Sequence, residues 1–303
     1  MSLTFGPIPS RRFGMSLGID LSPDSKQCNF DCLYCELKPA STVSNQTSSP
    51  KVSDVINEVK QSLVNHPNIN VITLTANGEP TLYPYLDELV DELDNIKGDI
   101  KTLILSNAGN IYKQEIQQTL KKIDIVKLSL DCVSSKCFKK LDRTNNEVDC
   151  TKIVDGMISF RKIYDKELVC ELLIVKDLND NDEEIMLLND AFTKIQPNRI
   201  DIGTIDRPPA YNVQPVSFEV LSYIANKFTN LSVNIAHKNR PKQIQSFNQD
   251  EIVGLLTMRP LTKDDIDNTF DNNSKNILNS LVKNQVISVI NSGGVEFYKF
   301  VGK

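Results

Sequence analysis

The sequence predicts an α/β fold, a partial (β/α)6 barrel followed by a small winged-helix-like domain, on three observations. Apolar runs alternate with segments of helical periodicity up to about residue 240, the chemically unusual residues fall just after those runs, and the pattern changes from about residue 249. At 303 residues the chain has room for one large domain, read as 1–240, and an appendage, read as 249–303.

The first strand is read at Ser16–Leu21 (SLGIDL), running into a cysteine-rich loop. Apolar residues at 52, 55, 56, 59 and 63 give Val52–Val64 a helical face behind Ser53 and Asp54. Further strands are expected at Val71–Thr75, Thr102–Leu105, Ile125–Leu130, Leu168–Val175 and Arg199–Gly203, with helical segments such as Tyr83–Leu93 and Asp182–Ile195 between them. Strands separated by helices pair in parallel through right-handed crossovers. Six such units are too few to close an eight-stranded barrel, and a doubly wound sheet is the alternative. In either architecture ligands sit at the C-terminal strand ends. The cysteine loop, Asn77-Gly78-Glu79-Pro80, Ser106-Asn107 and Asp131 each follow one of the first four strands, so they share one rim. Beyond 249, three short helices (Ile252–Leu256, Lys263–Phe270, Ser274–Lys283) precede a hairpin of Val286–Ile290 and Val295–Phe300, the winged-helix order.

A composition of 40% hydrophobic and 24% charged residues is that of a folded soluble chain, without the run of about twenty apolar residues that a membrane helix needs. The opening MSLTFGPIPSRRFG has no apolar stretch or cleavage site of a secretory signal, so a cytoplasmic protein is expected. Against 34 Lys plus Arg stand 39 Asp plus Glu, a net charge of −5, which excludes a global positive field for nucleic acid. Seven cysteines, an odd number, argue for reduced thiols or metal ligands over a disulfide framework.

Three of the cysteines carry the functional reading. Cys28-Asn-Phe-Asp-Cys32-Leu-Tyr-Cys35 has the spacing C-x3-C-x2-C. Three thiolates hold three irons of a cubane and leave the fourth without a protein ligand, the open position that cluster-based radical chemistry requires. Structural zinc is the alternative; it prefers four closed ligands, commonly in CxxC pairs, and there is no second CxxC. Cys132, Cys137, Cys150 and Cys170 are irregularly spaced and read as buried thiols in preference to an auxiliary cluster.

This loop after a first strand resembles the radical S-adenosylmethionine superfamily, and the resemblance runs from about Ser16 to Asp206. It implies a [4Fe–4S] cluster on Cys28, Cys32 and Cys35, and reductive cleavage of S-adenosylmethionine to a 5′-deoxyadenosyl radical that abstracts hydrogen from a substrate. Such an enzyme is of oxidoreductase or lyase type and takes electrons from a carrier such as flavodoxin or ferredoxin. Asn77-Gly78-Glu79-Pro80 looks like the family's Gly-Gly-Glu-Pro segment with Asn77 in place of the first glycine, which implies that Gly78, Glu79 and Pro80 meet the methionyl amino group. The resemblance also implies cofactor contacts from Phe30 and Tyr34 in the loop, Tyr34 toward adenine, and from Ser106, Asn107, Ser129 and Asp131 at the third and fourth strand ends.

Residues 6–36 resemble the relatives of the wyosine-forming tRNA enzyme, but no cysteine precedes Cys28 where that enzyme has a further cluster, so its reaction is not carried over. Arg11, Arg12, Lys127 and Arg207 are candidate substrate contacts, the arginines because a guanidinium grips carboxylate or phosphate bidentately. A tRNA-modifying enzyme and a cluster-bearing regulator that binds DNA through the C-terminal helices are the rival readings. From Asp250 onward six basic residues face seven acidic ones, which disfavours DNA.

Overall fold

The computed structural model describes residues 2–10, 13–145, 148–235, 244–258, 260–292 and 295–301. An eight-stranded sheet runs in sequence order: β1 (Thr4–Ser10), β2 (Gly14–Asp20), β3 (Val71–Thr75), β4 (Lys101–Ser106), β5 (Ile125–Ser129), β6 (Glu167–Ile174), β7 (Arg199–Thr204) and β8 (Val233–Ile235). β1 is antiparallel to β2, and β2 through β8 are parallel. The six expected strands are therefore extended by β8 and preceded by β1. The crossovers carry α1 (Val52–Asn65), α2 (Leu86–Ile96), α3 (Gln114–Lys122), α4 (Ser135–Leu141), α5 (Cys150–Ile163), α6 (Asp182–Ile195) and α7 (Phe218–Ala225). No helix among the described residues is long and apolar enough to cross a membrane.

Side chains alternate along a strand, so each strand splits between two faces. Leu17, Ile19, Ile72, Leu74, Ile104, Val126, Leu128, Cys170 and Ile202 are buried in one core with the helices. On the opposite, concave face Val71, Leu103, Ile125 and Val169 make a separate apolar floor with Phe13. Further along the same face the residues turn polar: Ser16 bonds Thr73 at 2.7 Å, and Lys127 lies 2.5 Å from Glu171 and 3.5 Å from Asp201. The register thus turns Lys127 inward.

The C-terminal elements are α8 (Gln249–Met258), β9 (Leu261–Thr262), α9 (Lys263–Thr269), α10 (Asn272–Lys283), β10 (Ile287–Ser292) and β11 (Val295–Phe300). Their sheet has the order β10-β11-β9, all antiparallel. Phe247, Ile252, Leu255, Phe270, Leu278 and Phe297 are in a second core, onto which Phe5 and Ile8 of β1 also pack. Two features place the start of this unit ahead of residue 249: Gln245 bridges to Phe270, and the Phe247 ring lies 4.9 Å from that of Phe270. The unit covers β1, which is otherwise an open sheet edge. Gly18 serves the same contact, because a Cβ there would fall 2.1 Å from the Phe5 ring.

Candidate functional site

The cysteine loop is held from both sides. Asp20, buried at the end of β2, accepts from Ser22 N at 3.0 Å and Asn77 N at 2.7 Å, tying the loop's first residues to the end of β3. Gln27 and Gly78 then form a parallel bridge, with Gln27 N donating to Asn77 O at 2.9 Å and Glu79 N to Gln27 O at 3.0 Å. The Gln27 amide also gathers the polar stretch behind the loop, donating to Ser48 O at 2.7 Å and accepting from Thr47 N at 2.6 Å. On the far side Asp31 N and Leu33 N donate to the carbonyls of Asp142 and Leu141 at the end of α4. Ala210 N donates to Cys35 O at 2.8 Å.

The three thiols are free and only half-buried, whereas the free Cys150 and Cys170 are buried. Burial, aided by the Glu79 charge, pushes the Cys28 thiol up to about 12, and burial with the neighbouring Asp142 raises Cys32. Cys35 is also raised by burial, against the pull of Lys26. These sulfurs carry negative charge only with metal attached, which supplies the compensating charge. Phe30 N approaches Cys28 Sγ at 3.4 Å and Asn107 Nδ2 at 3.5 Å, and the buried Asn29 Nδ2 has no partner among the described residues. A donor set of sulfur with N–H groups aimed at it fits an iron–sulfur cluster.

Among the described residues, Cys132, Cys137 and Glu184 form the one group of three whose ligand atoms lie within 4.8 Å of one another. The Cys132 group is itself committed. Cys132 and Cys137, with Cα atoms 5.6 Å apart, are joined as a disulfide between the β5 end and the first turn of α4, correcting the expectation of reduced thiols there. Glu184 is saturated by Val133 N, Ser134 N and the Ser134 hydroxyl.

The rim residues expected from sequence come together, with partners that sequence did not show. Glu79 Oε1 accepts from Thr81 N, Thr81 Oγ1 and Ser106 Oγ at 2.9, 2.6 and 2.7 Å, and Oε2 accepts from Asn107 N at 2.8 Å. It is buried and cross-links the β3 and β4 ends. Pro80 opens the short 3-10 turn Pro80–Leu82. Asn107 Nδ2 also donates to Asn29 Oδ1 at 2.8 Å. Phe30 is turned into the core, edge-on to Phe138 of α4 at 5.7 Å between centroids. Tyr34 donates its hydroxyl to Asp131 Oδ2 at 2.5 Å. Ser129 lies half-buried on the concave face beside Glu171. Arg207 gives Nη1 to both oxygens of Glu36, at 2.9 and 3.1 Å, and thereby ties the cysteine loop to the segment after β7. Arg11 and Arg12 lie outside the described residues. Asn29, Gln27, Asp20 and Asp142 went unread in the sequence, although the first two neighbour Cys28 directly.

Asp131 offers a measurable consequence. Its Oδ1 accepts from Leu173 N at 2.7 Å, yet burial outweighs these bonds and holds its pKa above the usual aspartate range. The folded state then binds this proton more tightly than the unfolded chain, so stability falls as pH rises from the ordinary aspartate range toward the folded value. Asp131→Asn can still accept from Leu173 N through Oδ1, meets the Tyr34 oxygen as a donor through Nδ2, and cannot ionise. We expect its stability advantage over wild type to grow by about 1 kcal/mol or more between pH 4 and 8 in urea unfolding of the metal-free protein; parallel pH profiles would contradict this.

Comparison with known proteins agrees with the geometry. The profile of the family described as the Radical SAM superfamily matches residues 23–189. A relative from Helicobacter pylori named UPF0026 protein is 38% identical over 301 residues, covering 98% of this chain and 97% of its own. The fold is shared with SuiB of Streptococcus suis, solved bound to S-adenosylmethionine, at a TM-score of 0.56 and 20% identity over 73% of this chain and 50% of that one. It is shared equally with a radical SAM methyltransferase from Sphaerobacter thermophilus, at a TM-score of 0.57 and 12% identity over 73% and 66%. With a cysteine loop clamped after the first parallel strand of such a sheet, the chain belongs to the radical SAM superfamily.

Proposed function

We propose that the protein is an enzyme that holds a [4Fe–4S] cluster on Cys28, Cys32 and Cys35, binds S-adenosylmethionine beside it, and abstracts hydrogen from a substrate on the concave face. The observation that carries this reading is the set of three free thiols on a loop fixed to the β3 and β4 ends, with Phe30 N and Asn107 Nδ2 turned toward the sulfur of Cys28. When bound, the reduced cluster supplies the electron that cleaves the sulfonium and yields a 5′-deoxyadenosyl radical. The chain's residues supply position. Glu79 fixes the backbone of Asn107 and the hydroxyl of Ser106, and so the rim on which the methionyl end rests. Asp131 fixes Tyr34, the aromatic of the loop. Lys127 and Glu171, paired on the concave face, are placed to meet a substrate, with Ser129 beside Glu171 on the rim side of Lys127.

The C-terminal unit is proposed as a winged-helix-like domain that serves as a lid or docking element. Its support is the helix, strand and hairpin order, its seat on β1, and the position of Asp265 in α9, close enough to Arg207 for its charge to act there. The test of the enzyme reading is anaerobic reconstitution with iron and sulfide, followed by dithionite reduction with S-adenosylmethionine. We expect iron and sulfide in equal amounts and accumulation of 5′-deoxyadenosine. Bound zinc, or no 5′-deoxyadenosine from a protein loaded with iron and sulfide, would overturn it.

A further inference from the structure

We propose that the outer face of α4 is the docking surface for a small acidic one-electron carrier protein, an inference that rests on the cluster reading above. In a chain of net charge −5, α4 and the residues after it (SKCFKKLDR) hold Lys136, Lys139, Lys140 and Arg143. All four are exposed, while Cys137, Phe138 and Leu141 face the core, so Lys136, Lys139 and Lys140 form one outward stripe at spacings of three and four, with Arg143 (φ +49°) two residues past the helix end. Arg143 is partly engaged, 3.4 Å from Asp31 and 4.6 Å over the Tyr211 ring. The three lysines have no acidic partner among the described residues.

Helix stability does not account for the stripe. Lys139 and Lys140 in the last turn complement the helix dipole, but Lys136 lies in the first turn, where a cation opposes it.

The position of α4 gives the stripe its meaning. The helix is about 10 Å long, and its C-terminal carbonyls accept directly from the backbone of Asp31 and Leu33, between the cysteines. Within the helix, Phe138 meets Phe30 of the loop edge-on. Cys28 instead faces Asn107, on the rim side where Glu79 fixes the backbone. The part of the loop held by α4, at Asp31 and Leu33, thus differs from Cys28, and a carrier seated on α4 is one backbone hydrogen bond from the segment between the cysteines.

The reaction assigned to this surface is one electron passing from the carrier to the oxidised cluster, the carrier being oxidised by one electron and no bond being made or broken. Four cations suit the small, salt-sensitive footprint of a transient redox encounter. A nucleic acid would call for a longer positive stripe.

The experiment uses flavodoxin reduced to its hydroquinone as probe and follows three readouts: the rate of cluster reduction by stopped flow, complex formation by calorimetry, and 5′-deoxyadenosine. In Lys136→Glu/Lys139→Glu/Lys140→Glu we expect reduction by flavodoxin to slow about tenfold or more at low salt, with its salt dependence flattened. Reduction by dithionite and the 5′-deoxyadenosine it produces should stay at wild-type levels. A control with the same charge change at exposed sites elsewhere, Lys60→Glu/Lys121→Glu/Lys162→Glu, should retain the flavodoxin rate. The three Lys→Gln changes on α4 give a milder version, read in the same way if the Glu variant folds poorly. Flavodoxin reduction at the wild-type rate in both α4 variants, or equally slow reduction in the control, overturns the proposal. So does loss of tRNA binding in the α4 variants with unchanged flavodoxin reduction, which would assign the stripe to RNA. Failure of dithionite to reduce a cluster in the wild type would instead remove the reading beneath it.

Discussion

Cys32→Ala is expected to lose most of its bound iron and all measurable 5′-deoxyadenosine formation after anaerobic reconstitution, while remaining folded. The loop that carries Cys32 is fixed by backbone bonds on both flanks, Asp31 N and Leu33 N to the end of α4, and these do not involve the thiol. Removing one sulfur therefore leaves the scaffold in place and takes away one of three iron ligands, so the effect falls on metal retention first. Cys170→Ala is the informative contrast. Cys170 is a fully buried side chain of the main core, so its truncation costs stability, on the order of 1 kcal/mol, with iron and 5′-deoxyadenosine retained in the folded fraction. Iron content per folded chain separates the two effects. Equal loss of iron in both variants, or full turnover in Cys32→Ala, would contradict the assignment of the centre.

The difference between these two cysteines was legible in the sequence, and its reason is local. Spacing of three sulfurs within one loop is a short-range feature, as are the apolar runs of β3, β5 and β6. β1 was not legible, because TFGPIPS contains Gly6, Pro7 and Pro9, residues that weaken strand propensity; an edge strand tolerates them. The short β8 lies within Leu231–Ile235, a stretch readable as a further strand even though the alternation weakens there. The identity of Glu79 was readable, but its role as a cross-link among Thr81, Ser106 and Asn107 depends on the parallel pairing of β3 with β4, a contact across 27 or 28 residues. The same holds for Tyr34 and Asp131, 97 residues apart. Lys127 needed a strand register to be placed, and no feature of VKLSL sets one by itself. The disulfide of Cys132 and Cys137 spans only five residues, yet its closure depends on α4 beginning where it does. In each case the residue type was visible and the partner was not, since partners come from register and crossover, which the local pattern does not encode.

Gly78→Ala is expected to damage the site more than its single methyl group suggests. At φ +141° the backbone of Gly78 occupies a region that side chains of L residues rarely adopt, and a Cβ there would lie 1.9 Å from the Gln27 carbonyl oxygen. The clash is with backbone, so rotation of a side chain does not relieve it. The Gln27–Gly78 bridge must open, and with it the bonds Gln27 N to Asn77 O and Glu79 N to Gln27 O. Backbone strain of about 1–3 kcal/mol and two bonds of about 1 kcal/mol each set the expected loss at roughly 3 kcal/mol or more, read as a lower urea midpoint of the metal-free protein. Separation of Gln27 from Asn77 also shifts Cys28, the next residue, away from Asn107. Iron content and 5′-deoxyadenosine should therefore fall together, by about tenfold or more, since small misplacements at a reacting centre are costly. Gly98→Ala is the control: Gly98 also has a positive φ, +55°, but open space where its Cβ would stand, so it should lose stability from strain alone and keep its iron. If Gly78→Ala matched Gly98→Ala in iron content and turnover, the bridge between the cysteine loop and the β3 end would not be what holds the first sulfur in place.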